Sequence, residues 1–237
     1  MIQFYAPDIL ANPVLPESDS GHAVRVLRMQ QGDELTVVDG RGHRCKCRLE
    51  VPHPKHVVLD VVSVEDVPQG WTSQITVAVA PTKNMDRMEW LLEKLVEVGI
   101  NRFVPVLCQR SERKEVKPAR LEKIAVSAMK QSLKATLPEL QPMTSLPELL
   151  RATWLPQNRY FGYCADDIER HNFAKEYIPG SDVIMLIGPE GDFSPSEANE
   201  AVAAGFRPVT LGNERLRTET AALYSAITIH SITQRFQ

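Results

Sequence analysis

No stretch of this 237-residue chain is apolar for long enough to span a bilayer. The first residues, MIQFYAPDIL, lack the basic start and long apolar core of a secretion signal, so a cytoplasmic protein is expected, with no membrane partner. Cysteine is scarce. Cys45, Cys47, Cys108 and Cys164 form no C-x-x-C pair and show no metal-ligand spacing, so neither a disulfide framework nor a metal site is read from them. They are expected to be reduced, structural thiols. Phosphate-binding signatures are missing as well, since neither G-x-G-x-x-G nor G-x-x-x-x-G-K-[ST] occurs. The nucleophile elbow G-x-S-x-G is absent, and there is neither an internal repeat nor a low-complexity tract. What remains is ordinary: 43% hydrophobic and 24% charged residues, as in one large globular domain or two smaller ones. The net charge of −3 argues against a nucleic-acid partner only until its distribution is considered, because a surface field follows local clustering.

Residues 1–70 read as all-β. Leu35–Val38 is followed by the hairpin signal Asp39-Gly40-Arg41-Gly42. Next, Cys45, Cys47, Leu49 and Val51 alternate with Arg44, Lys46, Arg48 and Glu50, the pattern of a half-buried strand with one basic face. With a further run at Val57–Val64, the short strands and regular turns predict a small barrel. Val67-Pro68-Gln69-Gly70 reads as a linker. From residue 73 to 237 the pattern becomes strand, helix, strand. Ile75–Ala80 suits a buried parallel strand, and Asp86 with Glu89 offers a cap for a helix carrying Met88, Leu91, Leu92, Leu95 and Val96. Phe103–Leu107 completes a β-α-β unit, so this domain is expected to be α/β with a mainly parallel sheet.

Positive charge gathers in two places. Before the strands, one turn of helix over 21–28 would bury Val24 and Leu27 and set Arg25 beside Arg28. Between 109 and 134, eight basic residues, Arg110, Lys130 and Lys134 among them, meet three acidic ones, and Pro118 opens a helix whose Leu121, Ala125 and Ala128 share a face. Either cluster is readable as a solvated face or as a phosphate-binding surface.

The most informative stretch is 183–229. Two apolar runs, Val183–Ile187 and Pro208–Leu211, each end at a glycine-bearing loop that leads into a helix pattern. Loops at the carboxyl ends of neighbouring parallel strands are where open α/β sheets bind ligands. Ser194-Pro195-Ser196-Glu197 is a capping box, and Thr218 an N-cap candidate with Glu219 in the first turn. Gly188 and Gly191 are expected to allow unusual backbone angles or a close ligand approach. Glu190 and Asp192 would repel a pyrophosphate, so a cationic or neutral ligand fits better. Arg217 stands at a helix start, where a cation is unfavourable unless it faces an anion. The last helix is apolar on more than one face, which predicts burial or a subunit contact.

Together these motifs resemble the RsmE family of the SPOUT methyltransferases. The resemblance is carried by His22-Ala23-Val24-Arg25-Val26-Leu27-Arg28, by Lys94 to Gly99, by Gln131-Ser132, by Ile187-Gly188-Pro189-Glu190-Gly191, and by Leu211-Gly212 with Leu216-Arg217-Thr218-Glu219-Thr220-Ala221. It spans essentially the whole chain. The pattern is departed from where Asp192 stands for a third glycine, Arg215 for an isoleucine, Met129-Lys130 for Ala-Glu and Lys134 for an arginine. The resemblance implies a small PUA-like β-barrel, then a SPOUT α/β domain whose C-terminal segment forms a trefoil knot, in a homodimer. It implies methylation of uridine N3 in 16S ribosomal RNA from S-adenosylmethionine, without a metal. A non-catalytic RNA-binding or assembly protein with a vestigial pocket is the alternative. Cofactor contacts are then expected from Ile187, Gly188, Pro189, Glu190, Gly191, Leu211, Gly212, Leu216 and Thr218. Arg217 would stabilise charge, with Glu190 or Glu219 taking the N3 proton. His22, Arg25, Arg28, Arg110, Lys130 and Lys134 would hold RNA.

Overall fold

The structure is a computed structural model in which residues 2–236 are described. The chain parts into two compact units. One takes in the chain up to Gly70 together with Ala125–Leu137; the other comprises Trp71–Ile124 and the chain from Pro138 onward.

The first unit begins with β1 (Gln3–Tyr5), a short helix α1 (Glu17–Gly21) and a π-helical turn over His22–Val26. Three strands follow: β2 (Glu34–Val38), β3 (His43–Val51) and β4 (Val58–Asp66). The sheet runs β1-β2-β3-β4, with β1 parallel to β2 and the other pairs antiparallel. Beyond β4 the pairing continues. Val14 bridges Val58, Leu15 N donates to the Val57 carbonyl at 3.0 Å, and Leu59 N to that of Pro13 at 2.9 Å. The stretch after β1 thus lies along the far edge, which curls the sheet toward a barrel. The alternation in β3 holds for Cys45, Cys47 and Leu49, all buried, but Val51 is exposed. A register shift between Leu49 and Val51 turns it outward. Nor is the other face simply basic: Arg44 meets Glu65 at 3.8 Å and Arg48 meets Glu34 at 3.6 Å.

The Asp39–Gly42 turn explains why residues 125–137 belong to this unit rather than to the α/β part. Gly42 N donates to the Ala135 carbonyl at 3.0 Å and Leu137 N to that of Gly40 at 2.8 Å. Gln3 Nε2 donates to the Lys134 carbonyl at 2.7 Å and Arg44 Nη2 to that of Leu133 at 3.0 Å. A periodicity reading sees a helix here and cannot see where its far end is fastened. Within the turn, Asp39 Oδ2 lies 2.5 Å from His43 Nδ1. Burial opposes ionisation of Asp39, but the His43 ring and the N–H groups of Arg41 and His43 outweigh it and hold the carboxyl below 3.8. The hydrogen bond to Asp39 raises His43 above 6.5. A raised histidine stabilises below its unfolded value and loses that contribution as pH rises through the folded one. The lowered carboxylate contributes above its own unfolded value and fades as pH falls through the folded one. The pair is therefore fully effective between 3.8 and 6.5. In an NMR titration the His43 ring should titrate above 6.5, and Asp39→Asn should bring it back down; a midpoint unmoved by that substitution would contradict the pairing.

The second unit contains β5 (Ile75–Val79), α2 (Met85–Val98) and β6 (Arg102–Leu107), then α3 (Pro118–Gln131), whose second half belongs to the first unit. The short elements β7 (Glu139–Leu140), β8 (Thr144–Ser145) and α4 (Leu146–Leu150) follow. Next come β9 (Asn158–Gly162), β10 (His171–Asn172), α5 (Phe173–Glu176) and β11 (Val183–Ile187). The chain closes with α6 (Pro195–Ala203), β12 (Arg207–Thr210) and α7 (Thr218–Gln234). The sheet order is β10-β12-β9-β11-β5-β6-β7, with β8 also on β6, and every pair is parallel. β5 and β11, read as continuous apolar runs, lie side by side and are buried at every position. The two glycine-bearing loops do not leave neighbouring strands: β9 lies between β11 and β12, so its own exit loop joins the same edge.

Caps fix the helix starts. α2 opens two residues earlier than a cap at Asp86 suggests, because Asn84 Oδ1 accepts the Asp86 N–H at 3.0 Å. Its apolar set, Met88, Leu91, Leu92, Leu95 and Val96, is buried as the spacing predicts. At α6 the capping box forms as read, with Ser194 Oγ accepting from Glu197 N at 3.2 Å and Glu197 Oε2 from Ser194 N at 2.9 Å. On α7, Ala222, Ala226 and Ile229 are buried while Tyr224 and Ile227 are exposed. Among the described residues no helix is long and apolar enough to cross a membrane.

Candidate functional site

The loop after β11 is braced from three other strand ends. Glu190 Oε1 accepts the Lys83 N–H, beyond β5, at 3.0 Å. Arg110, beyond β6, donates from Nη1 to the Gly191 carbonyl at 2.8 Å and to that of Phe193 at 3.2 Å. Beyond β9, Cys164 N donates to Asp192 Oδ2 at 2.9 Å, while Asp192 Oδ1 accepts from Phe193 N at 2.8 Å. Asp192 has φ 60°, the left-handed region that favours glycine. An aspartate is admissible there because one oxygen accepts the neighbouring Phe193 N–H and the other the Cys164 N–H beyond β9. That accounts for the departure from a third glycine.

Gly188 and Gly191 do not occupy that region, contrary to expectation. Gly188 is needed for another reason: a Cβ there would lie 2.9 Å from the ring of Phe193, which is fully buried. Gly188→Ala should therefore cost about 1–3 kcal/mol through overpacking. Thermal unfolding and cofactor calorimetry check this, and unchanged values for both would mean that the ring yields freely.

The second loop contains the backbone demand, with Gly212 at φ 132° and no atom within 4 Å of a would-be Cβ. The cap of α7 is Arg217, not Thr218. Thr218, one residue inside, is buried and donates from Oγ1 to the Gly188 carbonyl at 3.3 Å, tying the two glycine loops together. Glu219 follows, only 7% exposed, with Arg87 Nε 3.7 Å from its Oε1. Between this helix start and that of α2 lies a cleft of about 600 Å³. Arg215, Leu216, Arg217 and Glu219 line one side, and Asp86, Arg87 and Trp90 the other. Arg217 is exposed, and among the described residues no acceptor engages its guanidinium. Ile187–Gly191 do not line this cleft, whereas Glu219 does. Trp90 and Arg87 escaped the pattern reading because α2 read as a packing helix; the mark they left is an indole on its polar face.

The expected RNA residues divide. His22, Arg25 and Arg28 are exposed, but on a π-helical turn ended by Arg28 at φ 56° rather than on one α-helical face. Arg110 is committed to the loop carbonyls and Lys130 to Asp19, at 2.7 and 2.9 Å. Lys134 is half-buried, with its carbonyl taken by Gln3. In α3, Leu121, Ala125 and Ala128 are buried as predicted. Three of the four thiols are buried, and burial pushes Cys47 and Cys108 up to about 12. Cys164 is instead exposed beside Asp192. No group of three or more His, Cys, Asp and Glu suited to a metal occurs among the described residues.

Against known proteins, residues 69–230 match the RNA methyltransferase domain family and residues 15–62 the RNA methyltransferase PUA domain. The chain is similar to a solved structure of a probable rRNA-methyltransferase from Porphyromonas gingivalis, at 44% identity and TM-score 0.94, with all of both chains covered. It is similar at 27% identity and TM-score 0.85, again over all of both chains, to a ribosomal RNA small subunit methyltransferase E from Neisseria gonorrhoeae solved with S-adenosyl methionine. A protein of the same name from Bacillus subtilis is 27% identical over 86% of this chain and 84% of its own. The braced glycine loop, its tie to the start of α7 and these matches lead to one conclusion: the chain belongs to the RsmE family of SPOUT RNA methyltransferases.

Proposed function

We propose that the protein methylates N3 of a uridine in 16S ribosomal RNA, with S-adenosylmethionine as donor, in the cytoplasm. The observation that carries this reading is the pair of glycine loops joined at Thr218 and Gly188, with a cation-rimmed cleft at the start of the same helix. The loops suit the cofactor's chemistry. They carry carboxylates rather than a phosphate cradle, and Gly212 leaves its backbone uncovered. Ile187, Gly188, Pro189, Glu190, Gly191, Leu211, Gly212, Leu216 and Thr218 would hold the cofactor, which when bound supplies an electrophilic methyl group on a sulfonium.

What the chain's own residues must do is present uridine N3 as a nucleophile. N3 normally carries a proton, so a base must take it while charge on the uracil is stabilised. Arg217, exposed at the rim of the cleft, fits the second task. For the first, Glu219 is better placed than Glu190, because it lines the same cleft whereas one Glu190 oxygen is occupied by Lys83 N–H. The first unit, with His22, Arg25 and Arg28 exposed, would bind the RNA backbone; Arg110 and Lys130 are tied to internal partners and serve structure instead. The chain from Val183 onward would form the family's trefoil knot, and the exposed Tyr224 and Ile227 of α7 suit contact with a second copy. Similarity to a ribosomal RNA small subunit methyltransferase E solved with S-adenosyl methionine supports catalysis over the non-catalytic alternative.

The deciding experiment is mass spectrometry of nucleosides from ribosomal RNA incubated with the protein and cofactor. 3-Methyluridine is expected, and its absence would sink the reading. Replacing Arg25 and Arg28 together by alanine should weaken RNA binding and flatten the dependence of log affinity on log salt by about two units of slope. An unchanged slope would remove these residues from the interface.

A further inference from the structure

We infer that the cleft between α2 and the start of α7 seats the target uracil out of its stack, with Trp90 as its stacking platform and Glu219 as the group that selects uracil. This rests on the methyltransferase reading above. Trp90 is 44% exposed, and among the described residues its ring has neither an aromatic nor a cationic partner. It shares one face of α2 with Asp86 and Arg87, four and three residues before it, so all three look into the same space. Across the cleft stand Arg215 and Arg217. A bare indole opposite guanidiniums is a combination that binds single-stranded nucleotides: the ring takes a base face, and a guanidinium takes phosphate or carbonyl oxygens. A volume of about 600 Å³ is that of a small-molecule site and accommodates one nucleotide.

The polar groups give the cleft a direction. Asp86 repels phosphate from the α2 rim, so the backbone runs past Arg215 while the base reaches inward past Arg217, which meets the charge developing on it. There Glu219 is held by Arg87 at 3.7 Å. A carboxylate accepts the N3–H of uracil, whereas cytosine presents a lone pair at N3 and is repelled. Arg87 is thus a positioning residue, acting through Glu219.

The test uses the full-length protein and small ribosomal subunits purified from a strain lacking this activity. Trp90→Ala should lower kcat/KM about ten-fold or more, through KM for the RNA, while the calorimetric affinity for S-adenosylmethionine stays the same. Trp90→Phe, which keeps a π-face, should lose less than half as much on a logarithmic scale. Adding a uridine hexanucleotide should quench tryptophan fluorescence in the wild type and lose that quenching in Trp90→Phe. Unchanged kcat/KM in Trp90→Ala overturns the proposal, as does a loss that follows cofactor affinity or subunit association instead. Should the wild type methylate no uridine, the functional reading fails separately, and the quenching experiment still decides whether the cleft takes a base.

Discussion

Arg217→Ala is expected to reduce the rate of uridine methylation by about 10²–10³-fold, the loss that follows removal of one donor aimed at developing negative charge. The expectation follows from where Arg217 stands. It is the N-cap residue of α7, with φ −73° and ψ 157°, and makes no side-chain cap hydrogen bond. Nothing in the local fold requires a guanidinium there, and the positive end of a helix disfavours one. The fold should therefore tolerate alanine, and thermal unfolding should shift little. Single-turnover rates measured beside cofactor calorimetry separate the two functions: the rate falls while cofactor affinity holds. Arg217→Lys should rescue only in part, because an ammonium lacks the planar fork that engages a carbonyl or phosphate through two bonds. Full activity in Arg217→Ala would end its assignment to charge stabilisation, and loss of cofactor binding would move it to the other loop's task.

Glu197→Ala should produce the largest loss of stability, on the order of 2–5 kcal/mol. The side chain is 4% exposed, and its two oxygens serve two different segments. Oε2 accepts from Ser194 N at 2.9 Å and closes the α6 capping box, while Oε1 accepts from Gln109 N at 2.7 Å. Alanine would leave the Ser194 N–H buried without an acceptor and would cut the bond that holds Gln109 N. Gln109 precedes Arg110, which holds the Gly191 carbonyl, so cofactor affinity should weaken along with stability. Glu197→Gln keeps one acceptor oxygen and should lose about half as much. Chemical denaturation gives the first quantity and calorimetry the second; a loss below about 1 kcal/mol would show that water replaces the carboxylate without penalty.

Much of this architecture is legible because it is local. Val183–Ile187 and Ile75–Val79 read as buried parallel strands since neither face carries a charge, and Ser194 with Glu197 names its own helix start. What escaped is set by partners far away in the chain. Strand order is one case: nothing in 183–217 announces that β9 lies between β11 and β12. The cap of α2 moved to Asn84 because two polar residues competed for one turn, and Thr218 gave up the cap of α7 to bond Gly188. In the site, the bonds of Arg110 to the glycine loop and of Lys130 to Asp19 were not legible, because composition counts a charge without seeing its partner. That Arg217 has no task in capping α7 was legible from the conflict between its charge and its place, whereas the position of Trp90 needed the cleft around it.

Helix α3 starts in one compact unit and ends in the other, and that bears on how the protein is made. The first unit is not complete when its own strands have been synthesised. Asp19 waits for Lys130, Gly40 for Leu137 and Gly42 for Ala135. As the chain leaves the ribosome, these bonds cannot form while β5, α2 and β6 pass, and the unit can be completed only once Leu137 has emerged. A fragment cut at the apparent linker near Gly70 would repeat that unfinished stage, with the Asp39 turn lacking the strand-like segment it pairs with.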